Sequence, residues 1–301
     1  MRAPDSLKPG DLVAVVAPSS GVPRNELFQG LAWLGGRYRI RARSSLLARA
    51  GYLAGDDARR AHELAEAMVD PDVKAIFAAR GGYGAMRIVE ELPWDAFAKS
   101  PKWLVGFSDI TVLHERAAAV DVCSLHGPNV TGLFRTSPAE RAALTRLLER
   151  NDAPAWRGLE AVHEGTKTSV TGLATGGNLA MLYALAASGA RLVPEGSVLF
   201  LEDVTERPYR IDRMLTALRA SGALGRASAI VLGDMTECDP GPDGVTADEV
   251  LRERTAGLGT PVLRGAPFGH GVRNAPLPLG FFAHLTWTRE GASVAFSAPK
   301  G

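Results

Sequence analysis

Three stretches of this 301-residue chain carry residue types that can do chemistry together. In Gly106-Phe107-Ser108-Asp109 a serine stands between an apolar run and a helical pattern. A serine on a strand-to-helix turn occupies a tight, exposed corner beside free N–H groups of the helix start. That suits a nucleophile whose tetrahedral intermediate must be stabilised. Ile110 stands where a G-x-S-x-G elbow has its last glycine, so the match is partial, and the plainer reading is a helix cap by Ser108 or Asp109. Arg80-Gly81-Gly82-Tyr83-Gly84 follows another apolar run. Paired glycines there can turn N–H groups toward an oxyanion, or simply supply a turn with positive φ. The G-K-[ST] of a phosphate loop is missing. In the second half, Glu202 and Asp203 leave the run Val198–Leu201, and His270 is flanked by Gly269 and Gly271, which offer it no side chains to pack against. An exposed turn histidine is the alternative. A serine, a histidine, a carboxylate and a backbone-donor loop are the parts of serine acyl transfer. The other histidines (His62, His114, His126, His163, His284) form no H-E-x-x-H and no repeated spacing, so neither a metal site nor a cofactor is expected.

These residues need a scaffold. Leu12–Ala17, Val73–Ala79 and Trp103–Phe107 read as strands buried on both faces, with a possible further strand at Val122–Leu125. Asp57–Val69 carries an apolar stripe at helical spacing, a helix is expected from Ala85 to about Glu91, and Ile110, Leu113 and Ala117 mark another helix face. Strand–helix alternation predicts a parallel α/β sheet, in which ligands bind at the carboxyl ends of the strands. Beyond Pro138 the pattern changes. Gly177–Ser188 and the face Ile211, Met214, Leu215, Leu218 read as helices, and Val198–Leu201, Ala229–Leu232, Phe281–Thr288 and Ala292–Ser297 as strands. The expected fold is an N-terminal flavodoxin- or Rossmann-like lobe (1–137), a connection (138–168) and a β-rich lobe, a mixed sheet or small barrel (169–301).

Composition narrows the classes. Lys and Arg number 34 against 33 Asp and Glu, which gives no general electrostatic case for nucleic acid or an anionic membrane. Two cysteines exclude a disulfide framework; both are expected to be buried small hydrophobes. The N-terminal residues lack the apolar run of a signal peptide, and no uncharged apolar stretch reaches about 18 residues, so a soluble cytoplasmic protein is the expectation.

The motifs come in a fixed order: Pro18-Ser19-Ser20, RGGYG at 80–84, GFSDITVLH at 106–114, HGP at 126–128, GGNL at 176–179, LED at 201–203 followed by PYRIDRML at 208–215, and GHG at 269–271. In these the chain resembles the L,D-carboxypeptidase family of serine peptidases, which includes the muropeptide L,D-carboxypeptidases and the microcin C immunity peptidases. The likeness runs from about Leu7 to about Ala292. It implies a Ser-His-Glu triad of Ser108, His270 and Glu202, spanning both lobes with the site in the cleft. It implies an oxyanion hole from the backbone N–H groups of Gly82 and Asp109. It also implies a cytoplasmic homodimer without a metal, acting on the L,D bond before the terminal D-Ala of a murein tetrapeptide. A carboxypeptidase must hold a free carboxylate; Arg80, Arg207, Arg210 and Arg213 are candidates by charge, with an exposed surface arginine as the plainer reading of each.

Three rivals remain. An immunity-type peptidase cleaving aminoacyl- or peptidyl-nucleotide amides needs an aromatic surface to stack the base. Trp156 could supply it, although residues 160–175 hold no obvious long insertion to form a nucleotide loop. A non-catalytic muropeptide-binding protein would often have lost one of the three triad residues, yet all are present. A dinucleotide oxidoreductase needs G-x-G-x-x-G after the first strand, where the chain reads Pro18-Ser19-Ser20-Gly21-Val22-Pro23.

Overall fold

In a computed structural model, residues 1–164, 169–288 and 291–299 are described. The elements in chain order begin with β1 (Leu12–Val16), α1 (Arg24–Gly35), β2 (Arg39–Ala42), α2 (Asp57–Val69), β3 (Val73–Ala78), α3 (Trp94–Lys99), β4 (Trp103–Gly106), α4 (Thr111–Ala119), β5 (Ser124–His126) and α5 (Pro138–Arg150). There follow β6 (Trp156–His163), β7 (Ser169–Asn178), α6 (Leu179–Ala187), β8 (Val198–Val204), α7 (Pro208–Ala220), α8 (Ala223–Arg226), β9 (Ala229–Thr236) and α9 (Ala247–Thr255). The last are β10 (Val262–Arg264), β11 (Leu277–Leu279), β12 (Phe282–Thr288) and β13 (Gly291–Ser297). The chain divides into two units: Met1–Asp152 with Pro276–Gly280 and Ala298–Gly301, and Ala153–Ala275 with Phe281–Ser297.

The first unit is built on a six-stranded sheet of order β11-β5-β4-β3-β1-β2. Strands β1 to β5 pair in parallel, and β11 adds an antiparallel edge. Val13, Val15, Ile76, Phe77, Leu104 and Val105 are all buried, as expected of strands covered on both faces. Helix α2 starts on Asp56, whose side chain accepts from Arg59 N, and buries Ala61, Leu64, Ala67 and Met68. Helix α5 starts on a reciprocal capping box of Ser137 and Glu140, with Pro138 in the first turn. The helix expected from Ala85 to Glu91 is instead two separate 3₁₀ turns, Ala85–Arg87 and Val89–Glu91. Ile88 (φ −117) separates the two turns, and Leu92 is extended, as the residue before a proline prefers; the N–H of Ala85 goes to the Asp109 carboxylate (2.8 Å).

The second unit holds a closed seven-stranded barrel, β10-β6-β13-β12-β7-β8-β9. The run β7, β8, β9, β10 is parallel and the remainder antiparallel. The segment read as a connection holds helix α5 and strand β6, the latter one of the staves; residues 165–168 of the 160–175 stretch lie outside the described residues. Trp156 opens β6 and is buried against three phenylalanines: stacked on Phe268 at 5.8 Å and edge-on to Phe200 (5.9 Å) and Phe296 (5.1 Å). It is a barrel core residue, which overturns its reading as a base-stacking surface. Trp156→Ala is expected to destabilise the fold by about 3–5 kcal/mol. Denaturant midpoints check this; an unchanged midpoint would return the indole to the surface.

Candidate functional site

The first unit assembles three loops at the carboxyl ends of β1, β3 and β4. After β4 the chain makes one 3₁₀ turn, Ser108–Ile110, before α4. Ser108 takes φ +67, a conformation that costs a non-glycine residue free energy and that a strand-to-helix elbow requires. The neighbouring backbone is pinned on both sides. Asn129 Oδ1 accepts from Phe107 N (3.3 Å), and the buried His114 ring touches Gly106 O through Nε2 (2.9 Å) and Ser124 Oγ through Nδ1 (2.9 Å). Because a carbonyl only accepts, His114 carries its proton on Nε2 and is neutral.

Burial pushes the His114 pKa down to about 3. The sign follows. Below the unfolded value of about 6.5 the unfolded chain binds one proton more than the native one, so stability falls by about 1.4 kcal/mol per pH unit down to about pH 3. NMR should show a His114 ring that does not titrate between pH 8 and 5; a midpoint near 6.5 would contradict this.

Neither Ser108 nor Asp109 is a simple helix cap. The turn has no side-chain cap, and the Asp109 carboxylate reaches across to the other two loops instead. Its Oδ2 accepts from Ser19 Oγ (2.6 Å) after β1 and from Ala85 N (2.8 Å) after β3. Asp109 is buried, and burial raises its pKa. Buried Arg60 on α2 adds a second tie between the same loops, donating to Pro18 O and to Gly84 O (2.9 Å). The RGGYG loop lies directly on the serine: a Cβ on Gly81 would come within 2.9 Å of Ser108 Cβ. Gly82 takes φ +103, and a Cβ there would overlap Ser20 Oγ, which accepts from Tyr83 N (3.0 Å). Only glycine fits both needs, close approach and positive φ.

The second unit holds a histidine–carboxylate pair. Glu202 lies near the end of β8 and is fully buried; His270 follows β10 with its side chain 17% exposed. His270 Nδ1 is 2.7 Å from Glu202 Oε2. The glycines around His270 let carboxylates come close: a Cβ on Gly269 would meet Glu202 Oε2 at 2.9 Å, and one on Gly271 would overlap Asp234. With Nδ1 donating to the carboxylate, Nε2 is the ring nitrogen suited to take a proton from a hydroxyl. Burial, and after it the neighbouring Glu202, pushes the Asp203 carboxyl up to about 6 against backbone and Asn178 hydrogen bonds.

The arginine candidates have partners of their own. Arg80 donates to Gly21 O (2.9 Å), Arg207 to Asp239 O and Pro240 O, Arg210 pairs with Glu206, and Arg213 lies over the Tyr209 ring. Among the described residues no group of three or more His, Cys, Asp or Glu could hold a metal ion. Both cysteines are buried.

Sequence comparison bears on both units. Residues 13–127 match the LD-carboxypeptidase N-terminal domain and residues 171–285 the LD-carboxypeptidase C-terminal domain. The chain belongs to the LD-carboxypeptidase family. Membership makes it a hydrolase, a serine-type carboxypeptidase. The murein tetrapeptide carboxypeptidase of Pseudomonas aeruginosa is 34% identical, over 92% of this chain and 94% of the relative. The crystal structure of muramoyltetrapeptide carboxypeptidase from Oxalobacter formigenes superposes with a TM-score of 0.82 at 29% identity, covering 96% of this chain and 100% of that one. The structure of MccF in complex with glutamyl sulfamoyl guanosine has a TM-score of 0.85 at 21% identity, covering 98% of both chains, a likeness of fold. No helix among the described residues of this LD-carboxypeptidase is long and apolar enough to cross a membrane.

In this family member, Ser19, Arg60, Asp109 (as a side chain), His114, Asn129 and Asn178 escaped sequence reasoning as parts of a site, whereas Asp203 was singled out beside Glu202. The Ser19, His114 and Asn178 positions lay inside noticed motifs, Pro18-Ser19-Ser20, GFSDITVLH and GGNL, and an amide at a strand exit is a usable signal. Arg60 gives none, because it sits on a helix face that reads as ordinary.

Proposed function

We propose that this carboxypeptidase hydrolyses the L,D peptide bond before the terminal D-Ala of murein tetrapeptides, with Ser108, His270 and Glu202 as its triad. The observation that carries the reading is the 2.7 Å contact of His270 with a fully buried carboxylate, in a chain 34% identical to a murein tetrapeptide carboxypeptidase. Ser108 attacks the carbonyl. His270 takes its proton and returns it to the leaving D-amino acid, while Glu202 orients the ring and offsets its charge; water, with His270 again as base, then cleaves the ester on Ser108 and frees the shortened peptide and the serine. The backbone N–H groups of Gly82 and Asp109 hold the oxyanion, each worth about 10²–10³ in rate. Arg80, Arg207 and Arg213 are the groups to probe for the terminal carboxylate, and a cytoplasmic homodimer without a cofactor is the proposed working form. Burial of Trp156 removes the one aromatic surface that favoured a nucleotide-linked substrate.

The test gives the enzyme a murein tetrapeptide and, separately, an aminoacyl-sulfamoyl adenylate, and follows products by mass. Release of D-Ala from the first is expected. Cleavage of the adenylate alone would move the chain to immunity-type chemistry, and binding without cleavage to a muropeptide sensor.

A further inference from the structure

The Glu202 carboxylate has a second neighbour besides His270. Strands β7 and β8 pair in parallel with Asn178 opposite Glu202, so the two side chains share one face of the barrel wall. Asn178 also caps α6: its Oδ1 accepts from Met181 N at 3.2 Å. That bond settles which way the amide points. Oxygen faces the helix, and Nδ2 donates to Glu202 Oε1 (3.4 Å) and to Asp203 Oδ1 (3.0 Å). Asp203 is fixed in turn by Ala180 N on its Oδ2 (2.9 Å) and by its own chain at Val204 N (2.8 Å). All three side chains are buried.

We infer that Asn178, held by the start of α6 and by Asp203, is a positioning residue that fixes the rotamer of Glu202 and through it the imidazole of His270. The inference rests on the triad reading above. Two buried carboxylates on consecutive residues repel, and a neutral double donor between them helps both stay in place. The helix cap keeps that donor from flipping. A capping asparagine is therefore the choice here, although aspartate caps a helix equally well.

That equality makes the test. Asn178→Asp keeps an acceptor for Met181 N but replaces the donor with a third carboxylate. Asn178→Thr keeps a cap without adding charge, and its one hydroxyl hydrogen cannot serve two carboxylates. Asn178→Thr should melt within a few degrees of wild type, and Asn178→Asp lower, because it adds a like charge to two buried carboxylates. The expected loss in kcat is about 10- to 100-fold, larger for Asp, with KM for the tetrapeptide within about twofold, as for a reacting group displaced by up to an ångström. Charged groups near Glu202 include Asp203 on β8, Asp234 on β9 and His270 on the loop after β10; Arg273 acts on Asp234, and Arg210 on α7 acts on Asp203. A further negative charge among them favours protonation of its neighbours, so the acid limb of kcat/KM should move up by about one pH unit in Asn178→Asp and much less in Asn178→Thr. Wild-type kcat and pH profile in Asn178→Asp, beside a Glu202→Gln enzyme that has lost activity, would overturn the positioning role while leaving the triad intact. An active Glu202→Gln would instead overturn the triad reading. A variant that no longer folds would make Asn178 a structural cap only, which also overturns the proposal.

Discussion

Ser108→Ala should lose D-Ala release by on the order of 10⁴–10⁶-fold in kcat, with little change in KM. On the triad proposed above, loss of the nucleophile leaves only substrate binding and the oxyanion donors to assist attack by water, a residual rate about 10³–10⁴ above the uncatalysed one. The variant should fold normally. Removing one hydroxyl from a residue at φ +67 fills no space, although alanine at that φ is no less strained than serine. A fluorophosphonate or boronate directed at serine hydrolases gives an independent readout, since it should label or inhibit wild type and leave the variant untouched. Turnover within tenfold of wild type would remove Ser108 from the mechanism.

Glu202→Gln is expected to cost about 10³–10⁴-fold in kcat. The two carboxylate oxygens face two different donors: Oε2 takes His270 Nδ1 and Oε1 takes Asn178 Nδ2. A glutamine offers only one accepting oxygen. Turned toward Asn178, it presents its NH₂ to His270 and stabilises the tautomer with the proton on Nε2, the wrong one for a base. Turned toward His270, it sets two amide donors against each other in a buried place. In either orientation the charge that offsets the imidazolium is gone. KM should stay within a few-fold, because in the proposed mechanism the Glu202 carboxylate itself does not touch the substrate. Full activity in this variant would sink the assignment of Glu202, whatever becomes of Ser108.

Much of the scaffold was legible. The helix Asp57–Val69 has the limits its apolar stripe suggested, since its cap, Asp56, stands immediately before the thirteen residues that carry its buried face. The buried strands announced themselves as unbroken apolar runs, and the glycine loops as turns after them. A small barrel was one of the two expected forms of the second lobe, but the strand that closes it was not legible. Closure depends on Val262–Arg264 pairing both with β9 and with β6, a relation between three residues and two distant strands that leaves no local trace. Trp156 misled for a similar reason: its flanking Pro154 and Gly158 suggest a surface connection, while its burial depends on Phe200, Phe268 and Phe296 from three other segments. Residue types and strand-exit positions singled out Ser108 in the first unit and Glu202 and His270 in the second. The side chains that hold them were hidden, because Asp109, His114 and Asn178 do their bonding across 8 to 90 positions of sequence.

One edge of the six-stranded sheet has a consequence for how the chain is made. Strand β11 comes from Pro276–Gly280, yet it pairs with β5, at residues 124–126. A ribosome that has released the first 152 residues has therefore released a sheet one strand short. At about 5–20 residues per second, the missing strand follows on the order of 10 s later. Until then the outer hydrogen-bonding groups of Ser124–His126 lie open, a template that another nascent chain could occupy. A transcript cut short before Pro276 would leave that edge open for the life of the product.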